Sequence, residues 1–104
     1  MNIPLPIGAN DEDFEIAWRD VENHLNLYQP EFIILQCGAD SLSNDPITQM
    51  ELSESSHAMA ASSLCQIANS HCDGKLIALG GGGYNLENIA KAWTAVVQSL
   101  VDEL

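Results

Sequence analysis

The sequence predicts an α/β fold, a three-layer α/β/α fragment built on a small parallel sheet. Apolar residues recurring at three- and four-residue steps mark three helices, and two short continuous apolar runs lie between them. Each run opens into a loop of small and polar residues before the next helix begins. Strands alternating with helices in this order pair in parallel, and the loops leaving their carboxyl ends form the rim where open sheets build ligand sites.

The opening segment Ile3-Pro4-Leu5-Pro6-Ile7-Gly8-Ala9-Asn10 contains two prolines and a glycine, so it reads as extended chain turning into a loop. From Asp11, the residues Phe14, Ala17, Trp18, Val21, Leu25 and Tyr28 fall on one helical face. Asn10 is placed to cap that helix, and Asp11, Glu12 and Asp13 complement the positive end of its dipole. Pro30 stops it. Phe32-Ile33-Ile34-Leu35-Gln36-Cys37 then reads as a strand buried on both faces. Gly38 to Pro46 form a loop, and Ser53 or Ser55 caps a second helix with Ala60, Ala61, Leu64, Cys65 and Ala68 on its apolar stripe, ending near Ser70. Lys75 to Leu79 form the second strand, followed by four glycines, Gly80 to Gly83, and Tyr84. Asn85 caps a last helix packed through Ile89, Ala92, Trp93, Val96, Val97, Leu100 and Val101.

The 104 residues, 46% hydrophobic and 17% charged, make one domain with a modest core. Three basic residues against fifteen acidic ones give a net charge of −12, which excludes nucleic acid and anionic membrane as expected partners. No segment has the roughly 18 apolar residues of a membrane span. Cys37, Cys65 and Cys72 show no paired spacing, so a reduced, cytoplasmic setting is expected. Two strands make a narrow sheet for a parallel fold, so the chain reads as part of a larger one, with a sheet surface that invites self-association.

Two constellations could carry chemistry. Asp40 follows the first strand through the turn Gly38-Ala39, either as a turn residue bonding nearby amides or as a metal ligand or general base at the strand rim. Gly80 to Gly83 serve either a tight turn or the close approach of backbone to a ligand, and the helix start behind them could hold an anion. Tyr84 is either an aromatic plug of the rim or a phenol that donates a hydrogen bond to a developing oxyanion. A phosphate-binding loop is weakly supported, because no Gly-Lys-Ser/Thr follows the glycines. His24, His57 and His71 are dispersed, and Trp18 and Trp93 fall on apolar helix stripes.

The stretches Ile33 to Pro46 and Leu79-Gly80-Gly81-Gly82-Gly83-Tyr84-Asn85-Leu86-Glu87-Asn88 together resemble the C-terminal signatures of the zinc-dependent histone deacetylase family. That family includes bacterial acetoin-utilisation and acetylpolyamine deacetylases. Asn2 to Gly8 and Ala90-Lys91-Ala92-Trp93-Thr94 fit the same pattern, so the resemblance covers nearly the whole chain. It implies an arginase/deacetylase fold, with residues 1–104 forming a single partial domain made of its C-terminal βα units. It also implies that Asp40 is a zinc ligand and that Tyr84 is the catalytic tyrosine polarising the acyl carbonyl. Gly82 and Gly83 would line the substrate channel, with Ile47 near its mouth. The family completes its zinc site with an Asp-x-His pair and activates water with two adjacent histidines, and this sequence contains neither. Zinc binding and hydrolysis of an acyl-lysine or acetylpolyamine amide are therefore not expected of the chain alone. The expected partners are a second copy or a chain supplying the N-terminal half. The alternative is a non-catalytic module that self-associates or binds a partner.

Overall fold

The computed structural model describes all 104 residues. Helix α1 spans Asp11–Tyr28, strand β1 Ile33–Gln36, helix α2 Glu54–His71, strand β2 Leu76–Leu79 and helix α3 Leu86–Asp102, with a single 3-10 turn at Ala39–Ser41. β1 and β2 pair in parallel, Ile33 opposite Leu76 and Gln36 opposite Leu79. The fold is therefore α/β with a small parallel sheet, as the alternation of elements predicts.

Each helix begins where the sequence places its cap. Asn10 Oδ1 accepts from Asp13 N at 3.1 Å while Asn10 N donates to Asp13 Oδ2 at 3.0 Å, a reciprocal box that satisfies two otherwise orphaned donors. Ser53 caps α2 through Ser55 N, and Asn85 caps α3 through Asn88 N. Gln29 closes α1 in the left-handed region at φ 51°, and Pro30 prevents continuation.

α2 is the central helix, packed against α1, α3 and both strands. Ile33, Leu64, Ile67, Ala68 and Cys72 form one core cluster, closed by Trp18, Leu25, Leu35 and Leu76. Cys37, Ala61 and Val96 form a second beside Leu35, Ala78 and Leu100. Ala39, Leu42 and Ala92 form a third with Ile89 and Trp93, directly beneath the loop that carries Asp40.

The expectation that the first strand is buried on both faces fails. Ile33 is 6% exposed and packs against the helices, but its neighbour Ile34 is 67% exposed. Leu76 and Ala78 likewise turn toward the core, whereas Ile77 and Leu79 stay open. Successive residues of a strand point to opposite faces, and this chain brings its helices to only one of them. The continuous apolar run forms a strand, and the helices of this chain cover one face of it. Helix α1 is also less buried than its periodicity suggests: none of its residues is fully buried, and Tyr28 is exposed against the His24 ring.

Candidate functional site

Both predicted constellations leave the carboxyl ends of adjacent parallel strands, so the topology brings them to one rim. Asp40 lies in the 3-10 turn after β1, half-buried. The glycine loop follows β2 and crosses directly over it. Ala39 N donates to Gly82 O at 2.6 Å, and a methyl group on Gly82 would come within 2.8 Å of the Asp40 carboxyl carbon. Gly38 is as tightly enclosed, since a methyl there would lie 2.9 Å from both Asp40 Oδ1 and Gly82 N. At these two positions glycine is needed because the two loops of the chain approach each other closely. Gly83 needs it for conformation as well, at φ +146° against Ile89 and Ala39.

Tyr84 ends this loop with its side chain 55% exposed, and Ile47 across the rim is also exposed. The Tyr84 phenol is thus not a plug of the core. Its backbone is held: Tyr84 N donates to Asp45 Oδ2 at 3.0 Å. Asp45 is buried and accepts two more N–H groups through Oδ1, from Ile47 at 2.8 Å and Thr48 at 3.0 Å. Burial pushes the Asp45 carboxyl up, but the three amides of Thr48, Ile47 and Tyr84 outweigh it and hold the group below the usual carboxylate range. Thr48 Oγ1 in turn donates to Asp40 Oδ2 at 3.3 Å. The start of α3 is fastened to the same loop by Asn88 Nδ2 donating to Ser43 O at 2.8 Å.

Two of the amides leading into α3 are already engaged. Tyr84 N already faces the Asp45 carboxylate, and Asn88 N is capped by Asn85.

His57 is the one histidine near Asp40. It is buried, with Nε2 2.8 Å from Gly38 O, so that nitrogen carries a proton for the carbonyl and is not free for a metal. His71 pairs with Asn26 at the far end of α2, and His24 lies against Tyr28. Burial pushes the Cys37 thiol up, and its Sγ donates to Leu79 O, which is the opposite of what a thiolate ligand requires. An apolar cavity of about 280 Å³ lies beside Asp40 and is walled by Phe14, Trp18, Leu35, Leu52 and His57. Tyr84 does not line it.

Residues 1–100 match the family model described as the histone deacetylase domain. The chain belongs to the histone deacetylase family. It is 39% identical over 94 residues to Histone deacetylase 6 of Arabidopsis thaliana, covering 89% of this chain and 19% of that protein. It is 37% identical over 95 residues to Histone deacetylase clr6 of Schizosaccharomyces pombe, covering 90% of this chain and 22% of the relative. The solved structure of the histone deacetylase Clr3 superposes with a TM-score of 0.87 at 31% identity, over 98% of this chain and 17% of that one. The chain thus spans about a fifth of the length of the curated relatives it matches.

For this deacetylase-family chain the resemblance names one donor to a zinc ion, the Asp40 carboxylate. No three His, Cys, Asp or Glu side chains converge anywhere in the structure, so these residues do not make a zinc site among themselves. Sequence reasoning missed Asp45 and Thr48, and it left His57 among the dispersed histidines although the fold brings it beside Asp40. The only sequence signal for Asp45 was its position in Asn44-Asp45-Pro46, which marks a turn but not a bond to a residue 39 positions away.

Proposed function

We propose that this chain supplies one wall of a deacetylase site, with Asp40 as the carboxylate ligand of a zinc ion and Tyr84 as hydrogen-bond donor to the acyl oxygen. It does not hydrolyse amides alone. The observation that carries this reading is the interlocking of the Asp40 and Tyr84 loops at one rim, in a chain where a single carboxylate stands for a full donor set. A catalytic zinc takes three protein ligands, and one carboxylate does not retain the ion at cellular concentrations. The remaining donors come from residues beyond these 104 or from a second copy, and the general base from residues beyond them. In this reading Gly82 and Gly83 would line the path of the acyl side chain to Asp40, with Ile47 near its mouth; the packing of Gly82 against Asp40 and the exposure of Ile47 support it. When bound, zinc would polarise the carbonyl. Tyr84, exposed on the solvent side of the rim, supplies the complementary hydrogen bond as charge develops on oxygen.

The test is a chimera in which residues 1–100 replace the matching segment of Histone deacetylase 6 of Arabidopsis thaliana, assayed on acetyl-lysine peptide. Activity that falls about 10²-fold or more with Tyr84→Phe, and is lost with Asp40→Ala, is the expected result. A folded, zinc-loaded chimera with no turnover would sink the reading. Turnover by the isolated monomer that Asp40→Ala abolishes would overturn its second half. Calorimetric zinc titration of the 104-residue chain beside Asp40→Ala completes the test, because binding only at concentrations that populate an oligomer means that a second copy completes the site.

A second reading, a non-catalytic module that self-associates or docks a partner, is favoured by the exposed Ile34, Ile77 and Leu79 on the open sheet face.

A further inference from the structure

We infer that Asp45 is the positioning residue of this rim, setting the Tyr84 loop against the Asp40 loop through one carboxylate. The inference rests on Asp40 and Tyr84 being the site residues proposed above. Three features single out Asp45. It is buried, it accepts three backbone N–H groups, and one of them belongs to the tyrosine itself, across a separation of 39 residues. Its two oxygens divide the work. Oδ1 closes the local turn on Ile47 and Thr48, whereas Oδ2 reaches the other loop at Tyr84 N. Thr48, fixed through its amide, presents its hydroxyl to Asp40 Oδ2. One carboxylate therefore governs where the tyrosine's backbone sits and, through Thr48, which oxygen of Asp40 is already engaged. Of the other fasteners of the rim, Ala39 N holds Gly82 and Asn88 holds the start of α3 to Ser43, while Asn85 Nδ2 reaches Asn44 O beside the same joint only at 3.4 Å, longer than the 3.0 Å bond from Tyr84 N to Asp45.

The chemistry of the two oxygens supplies a selective substitution. In Asp45→Asn the amide oxygen can serve only one side. Turned toward Ile47 and Thr48 it satisfies two donors, and its NH₂ then faces Tyr84 N, donor against donor. The local turn survives and the cross-loop bond is lost. A carboxylate that served merely to stabilise the fold would show its loss everywhere at once.

The experiment is solution NMR of the full 104-residue chain, which needs no turnover, so its failure is distinct from failure of the chimera assay. In the unsubstituted protein, a scalar coupling across the hydrogen bond from the Tyr84 amide nitrogen to the Asp45 carboxyl carbon is expected. In Asp45→Asn, hydrogen exchange at Tyr84 N should accelerate at least about tenfold while Ile47, Thr48 and the α2 core amides keep their protection. Thr48→Val is the converse control, expected to release Asp40 and leave Tyr84 N protected. Unchanged Tyr84 exchange in folded Asp45→Asn overturns the inference. So does the absence of the Tyr84 coupling where the Ile47 or Thr48 coupling is seen, a result that remains decisive even if the variant does not fold.

Discussion

A carboxylate that is withdrawn from solvent and still ionises readily stores its contribution to stability in a definite pH window. Burial pushes the Asp45 carboxyl up, and the amides of Thr48, Ile47 and Tyr84 bring it below the usual range. At Asp11, burial is likewise outweighed by the hydroxyl and amide of Ser53, the hydroxyl of Ser56 and the charge of His57. Both folded values lie below the unfolded one, so the unfolded chain binds protons first as pH falls. Stability from these groups is complete above the ordinary aspartate value of about 3.9 and drains away as pH drops through the folded values. Urea midpoints should therefore be flat near neutrality and decline in acid, with the acid slope reduced in Asp45→Asn and in Asp11→Asn. A slope unchanged in both would show that these bonds do not persist in solution. Glycine supplies a second prediction at this scale. Gly83→Ala forces a side chain into φ +146° and against Ile89 and Ala39, and should cost about 1–3 kcal/mol by urea denaturation. The candidate residues Asp40 and Tyr84 were legible in the sequence because they follow strand ends, where the local pattern carries the signal. The bond from Asp45 was not, since it depends on two loops meeting and leaves no periodic trace.

The elements themselves were legible for the same reason that their cover was not. Helix α1 announces itself through the Asn10 cap, the acidic first turn and the spacing of Phe14, Trp18, Val21 and Leu25, all within one stretch of chain. What holds it to the molecule is long-range: Trp18 and Leu25 pack against the first core cluster, and a set of hydrogen bonds adds to them. Asp11 accepts from Ser53 N at 2.8 Å and Ser56 Oγ at 2.6 Å, and Ser63 Oγ receives Trp18 Nε1 at 3.0 Å while donating to Glu22 Oε1 at 2.7 Å. With no fully buried residue of its own, α1 is the element most dependent on those few contacts. Native-state hydrogen exchange should show α1 opening at lower free energy than α2, which carries the buried Ala60, Ala61, Leu64, Ile67 and Ala68. Ser63→Ala removes the shared hydroxyl and should lower α1 protection while leaving α2 nearly unchanged. Equal loss in both helices would mean that α1 and α2 open as one unit.

At the scale of the whole molecule, a parallel sheet has helices against one face and exposes Ile34, Ile77 and Leu79 on the other. Apolar area of that kind favours association, and a net charge of −12 on each copy opposes it. The two effects respond differently to salt. Screening shortens the reach of the repulsion to about 10 Å at 0.1 M and leaves the apolar attraction in place, so sedimentation equilibrium should show association rising with salt. Ile34→Lys with Ile77→Lys separates the causes. The pair changes the net charge from −12 to −10, which weakens repulsion, yet it should abolish association, because the driving surface has gone. Ile34 and Ile77 face each other across the strand pair, so the two lysines should also lower folding stability, by about 1 kcal/mol, which urea denaturation measures separately from association. A chain that stays monomeric at every salt concentration would rule out self-association through this face. A variant that associates more strongly than the parent would place the contact elsewhere and leave charge as the term that controls it.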